Sequence, residues 1–125
     1  MAGEPPLPTA ESRLQVSSSG QVTHVRFLDR NILDETSIQQ IGGEIAQLVE
    51  QAPNPKLLLI FENVEHLSSA ALGTLITVNN KVRQKGGQLR LASIAPQIYE
   101  VFVITKLNQL FHIFETIDEA MASFK

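Results

Sequence analysis

Apolar residues recur along the chain with two different spacings, one typical of strands and one typical of helices. The segment at 56–61 reads "KLLLIF" and is almost entirely apolar, which predicts a central strand covered on both faces. Apolar and polar residues alternate on either side of Ser19 and Gly20, which predicts an antiparallel hairpin with its turn at Ser-Gly. Two further strands are predicted by "QLRLASI" at 88–94 and "HIFET" at 112–116.

Four other segments carry apolar residues at the spacing of a helix. The first follows Thr36 and Gln39, which are spaced as a capping box. The second ends at the glycine pair 86–87, a common helix stop. The third begins at Pro96 and runs to about Lys106; part of it is expected to be exposed, because it is apolar around more than one stripe. The last is "IDEAMASF" at 117–124.

The predicted order of elements is β-β-α-β-α-β-α-β-α. Strands that alternate with helices pair into a mainly parallel sheet, so the fold class is α/β. We expect a mixed sheet of about five strands with an N-terminal hairpin, together with about four helices. A chain of 125 residues with 43% hydrophobic residues supplies one core. The domain is therefore expected to span residues 12–125, after a flexible tail at residues 1–11.

Composition and charge exclude several classes of partner. The net charge of −3 and the scattered Lys and Arg residues provide no basic surface for nucleic acid. The chain has no cysteine, which excludes disulfides and thiolate catalysis and agrees with a cytoplasmic location. The longest apolar run, "LLLIF" at 57–61, is far shorter than the roughly 18 residues that a membrane span needs. We expect a cytoplasmic protein without a membrane span.

Motifs for enzyme chemistry are missing from the sequence. The glycine pairs at 42–43 and 86–87 do not form a phosphate-binding loop. Ser68 and Ser69 do not stand in a Gly-x-Ser-x-Gly nucleophile elbow. The histidines lack the spacing of metal ligands; they are His24, His66 and His112. We therefore predict no catalytic residue, no metal and no cofactor.

The most specific pattern is "LLLIFENVEHLSSAALGTLITV" at 57–78. It resembles the characteristic segment of the STAS domain, the fold of bacterial anti-sigma-factor antagonists. In that family a strand leads through Val-x-x-hydrophobic-Asp-Ser-Ser/Thr-Gly-Leu-Gly into a helix, and the match here runs from Val64 to Gly73. Upstream, "NILDET" at 31–36 is similar to the family's Gly-x-Leu-Asp segment and makes Asp34 the matching acid. The resemblance covers residues 12–124.

On this register, the resemblance implies that Ser69 is the serine that the family phosphorylates. It also implies a partner-binding surface formed by Asp34, Ser68, Ser69, Ala71, Leu72 and Gly73. The chain departs from the family's pattern at three positions of the segment: Ser68 replaces Asp, Ala70 replaces a hydroxyl residue and Ala71 replaces Gly. In addition, Ile60 occupies a strand position where many members carry an acid.

The function that the resemblance implies is partner switching in bacterial signal transduction and transcription regulation. The unphosphorylated domain would bind an anti-sigma factor or a serine kinase, and the phosphoprotein would release it because the phosphate adds negative charge to a docking surface. The serines also allow a purely structural interpretation, in which one of them only caps a helix. Two further hypotheses stay open. One is a STAS scaffold subunit of a signalling or lipid-transport assembly that is never phosphorylated, and the other is a small-molecule or nucleotide-binding module that uses the loop ends near Asp34 and Ser68.

Overall fold

The computed structural model describes residues 14–124. The predicted tail at residues 1–11 lies outside this part of the chain. In chain order, the elements are β1 (Leu14–Ser19), β2 (Val22–Phe27), β3 (Asn31–Ile32), α1 (Glu35–Glu50), β4 (Lys56–Ile60), β5 (His66–Leu67), α2 (Ser69–Gln84), β6 (Gln88–Ala92), α3 (Pro96–Ile104), a 3-10 turn (Leu107–Gln109), β7 (His112–Phe114) and α4 (Ile117–Ser123).

Five strands form the main sheet, in the order β1-β2-β4-β6-β7. Strand β1 pairs antiparallel with β2, whereas β2, β4, β6 and β7 pair parallel with one another. The turn between β1 and β2 includes Gly20 at a φ of 62°, a left-handed conformation that glycine adopts without strain. The predicted α/β class, with an N-terminal hairpin on a mainly parallel sheet, is confirmed.

Both faces of the sheet are covered, because alternate residues of its central strand point in opposite directions. Leu57 and Leu59 of β4 join the larger core beneath α1, α2 and α3. Leu58 and Ile60 join the smaller core beneath α4. None of the four side chains is more than 1% exposed. This two-sided burial explains why the strand is apolar at every position after Lys56.

Helix α1 begins earlier than the sequence analysis predicts. Its N-cap is Asp34, whose carboxylate accepts a hydrogen bond from the Ser37 N–H at 3.0 Å. Thr36 lies inside the first turn, so the predicted capping box of Thr36 and Gln39 is wrong. A carboxylate at this position also interacts favourably with the positive end of the helix dipole.

Helix α2 ends as predicted at the glycine pair. Gly86 has a φ of 72°, and the Gly87 N–H donates to the Val82 carbonyl at 2.8 Å; together they close the helix with a left-handed cap. A Cβ on Gly87 would lie 2.1 Å from the Pro55 carbonyl oxygen. Gly86 is therefore required for its left-handed backbone conformation. Gly87 is required because the chain before β4 passes too close for a side chain.

Helices α1 and α2 pack closely against each other at Gly42. A Cβ at this position would lie 2.9 Å from Cγ2 of Thr74 on α2, which is closer than an ordinary carbon–carbon contact of about 3.5–4.0 Å. The glycine thus lets the two helices approach, and their N-termini lie at the same end of the sheet.

Candidate functional site

A small ladder of two parallel strands joins the chain ahead of α1 to the chain ahead of α2. Strands β3 and β5 pair over two residues each, and the Ser68 N–H donates to the Ile32 carbonyl at 3.1 Å. Each helix starts within a few residues of the ladder, so the caps Asp34 and Ser68 lie at neighbouring helix N-termini. The sequence analysis did not predict this ladder, because a two-residue strand leaves no periodic pattern.

Ser68 is the N-cap of α2. Its backbone is extended, with φ −84° and ψ 165°, and its Oγ accepts a hydrogen bond from the Ala71 N–H at 3.2 Å. Its carbonyl accepts a second bond from the Leu72 N–H at 3.2 Å. The side chain is half-buried. The hydroxyl of Ser68 is therefore engaged in starting the helix, as the structural interpretation of the serines predicts for one of them.

Ser69 is the first residue of α2, and its environment differs from that of its neighbour. The side chain is exposed, and within residues 14–124 its hydroxyl makes no hydrogen bond. The first N–H groups of a helix have no partner inside the helix and carry a partial positive charge. Ser69 thus presents a hydroxyl to solvent at a place where added negative charge is stabilised by the backbone.

The exposed side of α2 next to Ser69 carries no charge for three turns. Its exposed residues, which we call the neutral stripe, are Ser69, Ala70, Gly73, Thr77 and Asn80. Ala71 and Leu72, which the sequence analysis assigned to the partner-binding surface, are each only 5% exposed. Their side chains pack in the core, on the same stripe as Leu75.

An exposed leucine that the sequence analysis missed lies beside this surface. Leu33 follows Ile32, whose carbonyl accepts the Ser68 N–H, and its side chain is 53% exposed. The sequence offers only one indication of this exposure, which is that Leu33 comes directly before Asp34, the N-cap of α1. An exposed apolar side chain near the start of α2 increases the area that a protein partner could bury.

Two ion pairs lie at the carboxyl end of the sheet, near the site. Arg30 lies 3.9 Å from Glu65, and both side chains are more than half exposed. Arg26 forms an ion pair with Glu62 at the end of β4. Pairs as exposed as these contribute little to stability. Asp34 and Glu35 at the start of α1 are acidic as well.

The described residues offer little room for a bound cofactor at these helix N-termini. The cavity beneath them has a volume of about 10 Å³ and is lined by side chains such as Phe27, Ile38 and Leu67; a single water needs about that volume. In residues 14–124, no cluster of His, Asp and Glu could hold a metal ion. No helix in this range has the length and hydropathy needed to cross a bilayer.

Comparison with protein families identifies the domain. The family model described as the STAS domain matches residues 20–120. This chain belongs to the STAS domain family. The resemblance inferred from residues 57–78 is thereby confirmed.

Several relatives of this STAS domain carry names that refer to sigma-factor regulation. The chain is 26% identical over 96 residues to BtrV of Bordetella bronchiseptica, which has the provisional name anti-sigma factor antagonist; the match covers 77% of this chain and 82% of that protein. An anti-sigma-factor antagonist STAS domain protein from Planctomyces limnophilus has a solved structure that matches with a TM-score of 0.81 and 24% identity, over 88% of this chain and 96% of that one. The Bacillus cell fate determinant SpoIIAA in its phosphorylated form matches with a TM-score of 0.65 and 17% identity, over 87% and 96%. At these identities, the two structures show a shared fold.

Proposed function

We propose that this STAS domain is a cytoplasmic anti-sigma-factor antagonist of a bacterial partner-switching pathway. It binds an anti-sigma factor or a serine kinase through the neutral stripe of α2 and Leu33, and phosphorylation of Ser69 releases that partner. It acts by binding rather than by catalysis. The observation that carries the proposal is the difference between two adjacent serines: the Ser68 hydroxyl is used as a helix cap, whereas Ser69 is exposed.

Binding at this surface has a low desolvation cost. The neutral stripe contains no ionised side chain that must lose its hydration, and uncharged polar groups cost far less to bury than charges do. A phosphoryl group on Ser69 brings between one and two negative charges and three acceptor oxygens at neutral pH. Burying it against an apolar partner surface is unfavourable, and a loss of about 2.7 kcal/mol in binding corresponds to a hundredfold loss in affinity.

The fold itself would tolerate the phosphate. Ser69 lies at the positive end of the α2 helix dipole, which favours an anion there. Ser68 stands where the family pattern has an Asp, so the residue before Ser69 adds no repulsion to the phosphate. The phosphorylated domain is therefore expected to stay folded while its surface changes charge.

Gly73 supports the assignment of α2 as a docking surface. It is exposed, and a Cβ added there would meet nothing within 4 Å. A glycine inside a helix costs about 1 kcal/mol relative to alanine, and packing within residues 14–124 gives no reason for that cost. A partner whose backbone approaches α2 closely would supply the reason, because glycine leaves room for it.

The names of relatives agree with this proposal. BtrV carries the provisional name anti-sigma factor antagonist, and SpoIIAA has a structure described as its phosphorylated form. For the present chain, the position that corresponds to the family's phosphorylated serine is Ser69, on the register from Val64 to Gly73.

The direct test is to incubate the protein with ATP and its cognate serine kinase and to map the modified residue by mass spectrometry. We expect phosphate on Ser69 and none on Ser68. Binding of the cognate anti-sigma factor is then measured by calorimetry. Ser69→Ala should bind as the wild type does, and Ser69→Asp should bind at least tenfold more weakly.

The matched control is Ser18→Asp, which adds the same charge at an exposed position of the hairpin strand β1. Its affinity should equal that of the wild type. If Ser69→Asp binds as well as the control does, the switch is refuted and the non-phosphorylated scaffold subunit becomes the better account. Gly73→Ala adds a second test of the same surface, because it should weaken binding while leaving the domain folded.

A further inference from the structure

Strand β1 forms an edge of the main sheet that lacks the usual protection against pairing with another chain. It lies at one end of the strand order and pairs only with β2. Natural edge strands are commonly protected by charged residues, prolines, bulges or short length. Strand β1 has six residues that read "LQVSSS", and its register with β2 is unbroken. The opposite edge strand, β7, is only three residues long. Of the two edges, β1 is therefore the unprotected one.

The hairpin turn decides which main-chain groups of β1 face the free edge. Ser19 and Val22 flank a two-residue turn, and a β-turn is closed by a hydrogen bond between its first and fourth residues. Hydrogen-bonded and non-hydrogen-bonded pairs alternate along an antiparallel ladder. Ser19 and Ser17 therefore direct their N–H and C=O groups toward β2, whereas Ser18 and Val16 direct theirs outward. Within residues 14–124, no hydrogen bond reaches these outward groups of Val16 and Ser18.

The side chains of β1 leave this edge open and uncharged. Every residue of the strand after Leu14 is exposed, so both of its faces are accessible there. The side chain of Val16 is 45% exposed. On the neighbouring strand, Arg26 lies opposite Gln15, and its charge is paired with that of Glu62. Although the whole chain has a net charge of −3, a strand that approaches β1 meets a neutral surface.

We infer that β1 pairs with β1 of a second copy of this chain, antiparallel and with Val16 on the two-fold axis. A two-fold axis brings the same surface of both copies together, so the strand must be complementary to itself. In this register, the outward N–H of each Val16 donates to the outward C=O of the other. The two valine side chains lie directly opposite each other and bury apolar area that is exposed in the single chain. On the other face, Gln15 lies opposite Ser17 of the second copy, so no charges meet.

This pairing joins two five-stranded sheets into one and leaves the surface around Ser69 free. Helix α2 follows β4, which is two strands away from β1, so the inference does not depend on the proposed partner switching. A second copy suits this edge because its own β1 supplies outward groups in register, a valine opposite a valine, and no charge. The contact is small, and interfaces below about 1,200 Å² are typical of weak association. The dimer should therefore form at high protein concentration and dissociate on dilution.

The experiment combines sedimentation equilibrium with amide hydrogen exchange, measured by NMR on the full ¹⁵N-labelled chain. Protein concentrations run from about 10 μM to about 1 mM, a range suited to a small interface. We expect reversible formation of a dimer across this range. The Ser17 N–H, which faces β2, should exchange slowly at every concentration. The Val16 N–H should exchange fast in the dilute sample and at least tenfold more slowly in the concentrated one, because only the dimer protects it.

Val16→Glu places two like charges opposite each other across the axis and should abolish the dimer. The matched control is Val103→Glu, which replaces a valine of α3 that is 44% exposed and should dimerise as the wild type does. Thermal unfolding shows whether both variants retain the fold. The inference is overturned by a wild type that stays monomeric at about 1 mM, by a dimer in which Val16 exchange is not slowed, or by a dimer that Val103→Glu abolishes and Val16→Glu does not. Protection of Val16 that requires a different protein would assign the edge to that protein and overturn it as well.

Discussion

Two adjacent glycines of α1 allow a sharp test of how closely α1 and α2 pack. A Cβ on Gly42 would lie 2.9 Å from Cγ2 of Thr74, whereas a Cβ on Gly43 would meet nothing within 4 Å. Both glycines lie in the interior of α1, so replacing either one by alanine gains the same intrinsic helix propensity. We predict that Gly43→Ala stabilises the domain and that Gly42→Ala does not.

The magnitudes follow from two opposing effects. Replacing glycine by alanine inside a helix raises the free energy of unfolding by about 0.5–1 kcal/mol, and Gly43→Ala should show this full gain. At Gly42 the same gain is opposed by overpacking, which costs about 1–3 kcal/mol. Thr74 is β-branched and its χ1 is restricted in a helix, so its methyl group cannot easily move away. Gly42→Ala should therefore be less stable than Gly43→Ala by about 1–3 kcal/mol.

The assay is urea unfolding, in which a change of midpoint at constant m reports a change in stability. Thr74→Ser removes the Cγ2 methyl. In the background of that substitution, Gly42→Ala should become stabilising, and the double-mutant cycle isolates the contact between the two side chains. Equal stabilities of Gly42→Ala and Gly43→Ala, within about 0.3 kcal/mol, would refute the claim that α1 and α2 meet at this glycine.

Three further outcomes can be measured with the same purified protein. Ser68→Ala should lower the free energy of unfolding by about 1 kcal/mol through loss of the cap, while Ser69→Ala should stay within about 0.5 kcal/mol; equal losses would mean that the cap is misassigned. Phe102→Ala should cost about 3–5 kcal/mol in urea unfolding, because its ring is fully buried against Phe111, and a cost below 1 kcal/mol would contradict that packing. Folding lowers the pKa of His112, so the unfolded chain binds more protons just below pH 6.5 and stability falls as the pH drops through that window. His112→Gln should therefore lose less stability than the wild type between pH 7 and pH 5; if the stability of both proteins changes equally with pH, the lowered pKa of His112 is refuted.

The sequence predicted those parts of the fold in which burial alone decides the pattern. Leu57 to Ile60 are apolar at every position because β4 is covered on both faces. Residues 101–107 were predicted to be partly exposed, and Val103 and Ile104 are 44% and 77% exposed. The strand is apolar because both of its faces are buried, whereas α3 carries more apolar residues than its one buried stripe can accommodate.

The remaining features depend on contacts between distant segments. Whether Asp34 or Thr36 caps α1 is decided by where the chain leaves the β3–β5 ladder, and local spacing favoured the wrong residue. The resemblance placed Ala71 and Leu72 on the partner-binding surface, yet they share the buried stripe of Leu75, a signal that helical periodicity did contain.

The ladder between β3 and β5 affects how the surface around the starts of α1 and α2 can evolve. Its pairing uses main-chain groups, as in the bond from the Ser68 N–H to the Ile32 carbonyl, which every residue except proline can provide. Side chains around the two helix starts can therefore be exchanged without displacing the scaffold that holds them. New partner preferences can arise here by simple substitution, with the architecture inherited intact.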